Sequence, residues 1–172
     1  MKFENETQVL NNSKIILRRF RESDLDQLTR ITYDPEVMEF IGGIMSLDET
    51  KLYLSKLIHL NSSMNMYAVI NKHTMEFAGL AGYVNSTDSY PEIHVAIIKS
   101  FQRKGLAKEA FALCLDFATD VLYKTSVSAY IKTGNNVAKK VLRKMEFKFK
   151  KTEFICGKSR EMYVYSPSYL MN

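Results

Sequence analysis

The chain has 172 residues, 46% hydrophobic and 25% charged, with a net charge of +5. That length suits one domain, over 1–172, with a sizeable core, and the composition is that of a soluble globular protein. No apolar run approaches a membrane span, Met1 to Glu6 lack the apolar region of a secretory signal, and Cys114 and Cys156 have no metal-ligand spacing, so a reduced, cytoplasmic setting without metal is expected.

Lys14 to Phe20 reads as a first strand. Ser23 is a candidate N-cap for a helix with Leu25, Leu28 and Ile31 on one face, and Asp34-Pro35 breaks it. Ser46-Leu47-Asp48-Glu49 forms a capping box for a second helix, with Leu47, Leu54, Leu57 and Ile58 inward. Tyr67 to Ile70 and Phe77 to Val84 are strands around a turn at 71–74. Gly79 and Gly82 inside the latter imply close backbone approach or a bulge. After a loop at 85–91, Glu92 to Ile98 is a further strand.

A long helix then shows apolar residues at Leu106, Ala107, Ala110, Phe111, Leu113, Cys114, Phe117, Ala118, Val121 and Leu122, the spacing of one helical face. Cys114 falls on that face and reads as core. Ser126 to Ile131 is a strand, and 135–145 reads helical through Val137, Ala138, Val141, Leu142 and Met145. Strands near 147–156 and 160–166 close the chain, so the order βααβββαβαββ predicts a mixed α/β sheet with helices on both faces.

The segment most informative about function is Gln102-Arg103-Lys104-Gly105-Leu106-Ala107, between the 92–98 strand and the long helix. A polar glycine loop at a helix start exposes unpaired N–H groups at the positive end of the helix dipole, which suits a phosphate. Arg103 and Lys104 add positive charge. Neither the nucleotide P-loop pattern nor the dinucleotide-binding glycine fingerprint occurs. A second basic run, Lys139, Lys140, Arg143, Lys144, Lys148, Lys150 and Lys151, is either a solvated face or an attractor of an anionic cofactor or an acidic or RNA-containing partner.

Gln/Arg-x-x-Gly-x-Gly/Ala resembles the pyrophosphate loop of the GNAT acyl-CoA N-acyltransferase superfamily. Asn135, Ala138, Lys144 and Phe147 match the family's second cofactor segment. Glu146 replaces its usual glycine, so the following turn is expected to differ. Leu17-Arg18-Arg19-Phe20, Asp24, Asp34-Pro35-Glu36-Val37-Met38, Glu92-Ile93 and Met162 to Ser166 resemble the branch that acetylates ribosomal-protein N-termini. The resemblance implies a mostly antiparallel sheet of about seven strands. Its central strands, before and after the long helix, splay apart to hold acetyl-CoA.

It also implies transfer of an acetyl group to a primary amine by direct attack through a tetrahedral intermediate. The acceptor is a protein N-terminus or a small amine, RNA is met only through a ribosome, and homodimers are common in the branch. Backbone groups of Val95 and Ile97 would hold the pantetheine arm and polarise the acetyl carbonyl, those of Arg103 to Ala107 the pyrophosphate, and Asn135 the pantetheine chain. Glu92 is the candidate base, with His94 two residues along on the same strand face. Ala138 and Leu142 stand where relatives carry Ser and Tyr, which leaves Tyr165, or Tyr163, as the candidate acid. A non-catalytic CoA-binding or RNA-binding module on the same fold is the alternative.

Overall fold

The computed structural model describes residues 8–39, 41–59, 64–85, 90–121, 124–155 and 157–166. The expectations at Met1 to Glu6, Leu122, Cys156 and most of the 85–91 loop lie outside these. The strands are β1 (Gln8–Asn11), β2 (Ile15–Arg18), β3 (Met64–Asn71), β4 (Phe77–Asn85), β5 (Pro91–Ile97), β6 (Val127–Lys132), β7 (Lys148–Ile155) and β8 (Lys158–Tyr165). The helices are α1 (Leu25–Thr32), α2 (Pro35–Met38), α3 (Leu47–Ile58), α4 (Leu106–Asp116) and α5 (Asn136–Lys144). Among the described residues, no helix is long and apolar enough to cross a membrane.

The strands form one sheet in the order β1-β2-β3-β4-β5-β6-β8-β7, antiparallel throughout except at β5–β6. The strand beyond the expected seven is β1, whose four residues are too few to show a period. Its turn is closed by Asn12, whose Oδ1 accepts from the backbone N–H of Lys14 (2.9 Å) and Ile15 (3.1 Å). Met66 to Ile70 of β3 and Phe77 to Tyr83 of β4 are buried without alternation, so both sheet faces are covered there. α4 covers one face. There Phe117, in the π-turn that extends the helix, stacks on Tyr83 at 6.0 Å. α1 and α3 pack on β4 and β3 from the other side. A Cβ on Gly79 would lie 2.2 Å from the Ala96 carbonyl oxygen, and one on Gly82 2.1 Å from that of Asn65. The close backbone approach expected of these glycines is therefore present.

Several local expectations change. Ser23 does not cap α1, because a 3-10 turn over Glu22–Asp24 precedes the helix. The organising side chain is Asp24, buried, which accepts two 2.7 Å bonds from the Arg18 guanidinium and one from the Arg21 N–H (2.9 Å). A bidentate charged pair outcompetes a serine hydroxyl for this corner. Asp34 ends α1 but also starts α2, accepting from the N–H groups of Glu36 and Val37, with Pro35 in the first turn. The capping box of Ser46 and Glu49 forms. Leu47 is 44% exposed rather than inward, because the first turn of α3 stands clear of the core, and Thr50 takes the inner position. The Thr50 hydroxyl meets that of Thr32 at 2.9 Å, a buried polar tie between α1 and α3. Val137 is also exposed, because it shares a face of α5 with Lys140 and Lys144, while Leu142 is buried. Cys114 is buried as expected, and burial pushes its thiol up to about 12.

Lys139 is not part of a solvated face. It donates to Glu161 at 2.5 Å, and Glu161 also accepts from the Tyr163 hydroxyl at 3.1 Å. This network ties α5 to β8. Nor does the turn after α5 depart from a glycine geometry. Glu146 adopts φ 63°, its N–H bonds to the Arg143 carbonyl (3.1 Å), and the Phe147 N–H bonds to that of Leu142 (3.0 Å). This is a Schellman ending with glutamate at the left-handed position.

Glu146→Gly should therefore stabilise the protein by about 1 kcal/mol, the cost of a left-handed non-glycine residue. Thermal unfolding should show a rise of about 2–4 °C. Glu161→Gln should cost about 1 kcal/mol at neutral pH by weakening a charged hydrogen bond. The bond from Lys139 holds the Glu161 carboxyl below its usual range. Its contribution is thus complete above the ordinary glutamate pKa and is lost as pH falls through the lowered value. Denaturant unfolding of wild type and variant should converge in acid.

Candidate active site

β5 and β6 run parallel but pair at a single position, Glu92 with Ser128. Beyond that row they part, so the sheet forks toward their C-terminal ends. Which backbone groups face the fork follows from strand parity. The Ile98 N–H bonds to the Ala78 carbonyl, and β4 and β5 pair without a register shift from Gly79–Ile97 to Asn85–Pro91. Alternation then turns the backbone groups of 92, 94 and 96 toward β4, and those of 93, 95 and 97 toward the fork. Val95 and Ile97, the positions expected to address a ligand, are thus among those whose N–H and C=O groups point into the gap. The Ile97 carbonyl is taken: Gln102 Nε2 donates to it at 3.0 Å. Gln102 therefore braces the end of β5 rather than offering its side chain to an anion.

The loop after β5 passes through a 3-10 turn, Lys99–Phe101, and reaches α4 with Arg103 at φ 61° and Gly105 at φ 81°. No side chain caps α4 at Gly105, and Glu109 makes the first helical bond, to the Gly105 carbonyl (3.2 Å). The N–H groups of Leu106, Ala107 and Lys108 thus form an uncapped first turn at the open end of the fork. The glycine turn and exposed helix start expected after β5 are present, and the uncapped turn runs one residue further than expected, to Lys108. Gln102 to Gly105 are exposed, while the Leu106 side chain is buried and anchors the turn. Lys104 lies over the Phe101 ring, 5.1 Å from its centroid. The other strand of the fork leads to α5, where Asn135 Oδ1 accepts from the Ala138 N–H at 3.0 Å. That cap commits the oxygen, and among the described residues Asn135 Nδ2 has no acceptor.

Glu92 stands at the fork's closed end. Its Oε1 lies 3.2 Å from His94 Nε2, with the two side chains 18% and 36% exposed, so the expected shared face is realised. Ser128, fully buried, shares that row and face, and its hydroxyl donates to the Pro91 carbonyl at 3.4 Å. Nothing in the sequence around Ser128 marks it, because only strand pairing brings it beside Glu92. Tyr165 does not join this group. It pairs with Val127, one row from Ser128, so its side chain points to the opposite sheet face. There its ring packs 5.5 Å from Phe147, which meets Phe111 of α4 at 5.3 Å. Tyr163 is bonded to Glu161, and Lys139 is held in the same network. Among the described residues there is no group of His, Cys, Asp and Glu able to hold a metal.

Residues 14–148 match the sequence family described as the acetyltransferase (GNAT) domain. Solved structures share the fold. A GNAT-family acetyltransferase from Bacillus anthracis superposes with a TM-score of 0.82 at 17% identity, over 91% of this chain and 97% of that one. A spermidine N-acetyltransferase from Vibrio cholerae, in complex with CoA and spermine, gives 0.77 at 20%, over 94% and 100%. RimL, a ribosomal L7/L12 alpha-N-protein acetyltransferase, gives 0.78 at 16%, over 93% and 94%. A family match across most of the chain, on a sheet that forks between β5 and β6 with an uncapped helix start at its mouth, has one reading: the chain belongs to the GNAT acetyltransferase family.

Proposed function

We propose that this chain is an acetyl-CoA-dependent N-acetyltransferase acting on a primary amine. The observation that carries the reading is the fork itself, with inward backbone groups at Val95 and Ile97 and the uncapped start of α4 at its mouth. These features fit the two ends of acetyl-CoA, an extended amide chain between strands and a pyrophosphate on helix N–H groups. When bound, acetyl-CoA supplies the acyl thioester. The chain's own groups do the rest. The N–H of Val95 or Ile97 polarises the carbonyl, and Asn135 Nδ2 bonds the pantetheine arm. An aliphatic amine is mostly protonated at neutral pH, and Glu92, directly or through a water, takes that proton. Tyr165, whose side chain lies on the opposite sheet face from Glu92, is the candidate donor of a proton to the leaving sulfur.

On acceptor class, two carboxylates on the Glu92 side of the sheet, Glu39 after α2 and Glu153 on the edge strand β7, are matched within the chain. Glu39 accepts from Lys132 at 2.9 Å, and Glu153 from Lys151 at 2.6 Å. A polycation would have to displace both lysines. An acceptor with a single amine, such as a protein N-terminus, needs only Glu92.

Acetyl-CoA at a hundredfold excess over its dissociation constant should stabilise the fold by about 2.7 kcal/mol. Absence of any thermal shift at millimolar concentration defeats the cofactor reading. Gly105→Val, which forces a branched residue into φ 81°, should abolish most of that shift. Glu92→Gln should bind acetyl-CoA normally and lower turnover by roughly 10²–10⁴, less at high pH, where more amine is already neutral. Steady-state kinetics with an amine panel, following free CoA, reads this out. Tyr165→Phe should lower turnover only about tenfold, below that range, because a thiolate leaves readily. A larger loss in Tyr165→Phe than in Glu92→Gln would reverse the assignment of the dominant proton transfer.

A further inference from the structure

We propose that Lys14, in the β1–β2 turn, is a pyrophosphate-binding residue that completes the α4 anion site from outside the loop. The inference rests on the acetyl-CoA reading above. Lys14 Nζ lies 3.6 Å from the point a Cβ on Gly105 would occupy, directly over the left-handed glycine at the uncapped helix start. Its backbone is fixed on several sides. Asn12 Oδ1 accepts the Lys14 N–H, the Lys72 N–H donates to the Lys14 carbonyl at 2.8 Å, and Lys72 Nζ donates to Asn11 and Asn12. Asn12 Nδ2 then clips the turn to α4 through Glu109 Oε2 at 3.0 Å.

The side chain, by contrast, is 45% exposed and loosely held. Its contact with Glu109 is 3.5 Å, long for a charge-assisted bond. Glu109 sits in the first turn of α4, where its charge favours the empty helix but would oppose an incoming anion. Lys14 offsets that charge and keeps an ammonium within a side-chain rotation of the loop. A phosphate on the Leu106 to Lys108 N–H groups would draw Nζ from Glu109, while Asn12 keeps the carboxylate bonded. A purely structural Lys14–Glu109 pair would instead affect stability alone.

The test measures binding by calorimetry of CoA, dephospho-CoA and pantetheine to Lys14→Met, Lys14→Arg and Glu109→Gln. Lys14→Met should bind CoA and dephospho-CoA alike about tenfold more weakly, the loss of one exposed charged hydrogen bond, with pantetheine unchanged. Lys14→Arg should recover most of it. Glu109→Gln, which removes the competing charge but keeps a partner for Asn12, should bind CoA at least as tightly as wild type. Unchanged CoA affinity in Lys14→Met, with wild type binding normally, overturns the proposal and leaves the acetyltransferase reading standing. A loss confined to CoA, sparing dephospho-CoA, overturns it too, because the contact would then be with the 3′-phosphate. If wild type binds neither nucleotide, the acetyltransferase reading and this proposal fall together.

Discussion

The interruption of the sheet between β5 and β6 is the constraint on which the rest depends. A buried strand edge with unpaired N–H and C=O groups is costly, and a continuous sheet would avoid it. Here the ladder stops after the Glu92–Ser128 row, and the chain meets the consequences locally. Gln102 covers the Ile97 carbonyl, α4 follows β5, and α5 follows β6, so each diverging strand is continued by a helix start. The gap is held open by elements on both sides rather than left as a defect. An extended chain with amide groups is the chemistry such an edge could pair, which is why the proposed cofactor is placed in the gap.

Backbone conformation at the mouth is equally specific. Arg103 and Gly105 both have positive φ, flanking Lys104, and this backbone pattern, continuous with the helix start, is of the kind that suits the pyrophosphate proposed to bind there. Only one of the two positions carries glycine. Glu146 shows the same tolerance after α5, where a side chain exposed to solvent accepts a left-handed turn at modest cost because Phe147 must enter the core immediately after it.

Much of this could be read in advance. The long apolar stripe of α4, the capping box at Ser46 and the glycine turn before α4 are local patterns, and each lies where its period or turn chemistry put it. What escaped was made by pairing across the chain. β1 is too short to show alternation. Asp24 takes the capping corner from Ser23 because Arg18 reaches it from the neighbouring strand. Lys139, inside a run of like charges, is bound by Glu161, whose approach depends on the placement of β8 against α5. Ser128 and Lys14 carry no motif, and only the sheet register and the first hairpin bring them beside Glu92 and the start of α4. Glu146 failed in the opposite sense. The missing glycine predicted a different turn, whereas the hydrogen bonds of the helix end impose the same turn on a less suitable residue.

The same parity that directs Val95 and Ile97 into the gap divides the candidate catalytic groups. Glu92, His94 and Ser128 share one face with α1 and α3, while Tyr165 shares the other with Phe147 and α4. In an ordinary cleft, a base and an acid on opposite sides of a sheet could not serve one reaction. In the proposed reaction a thioester held in the fork would be open to both faces, so the candidate base and acid need not share one. Proton removal from the amine and proton delivery to sulfur would then be separated across the sheet. Each face would then need only one titratable group, with the Glu92–Ser128 row marking the closed end of the fork.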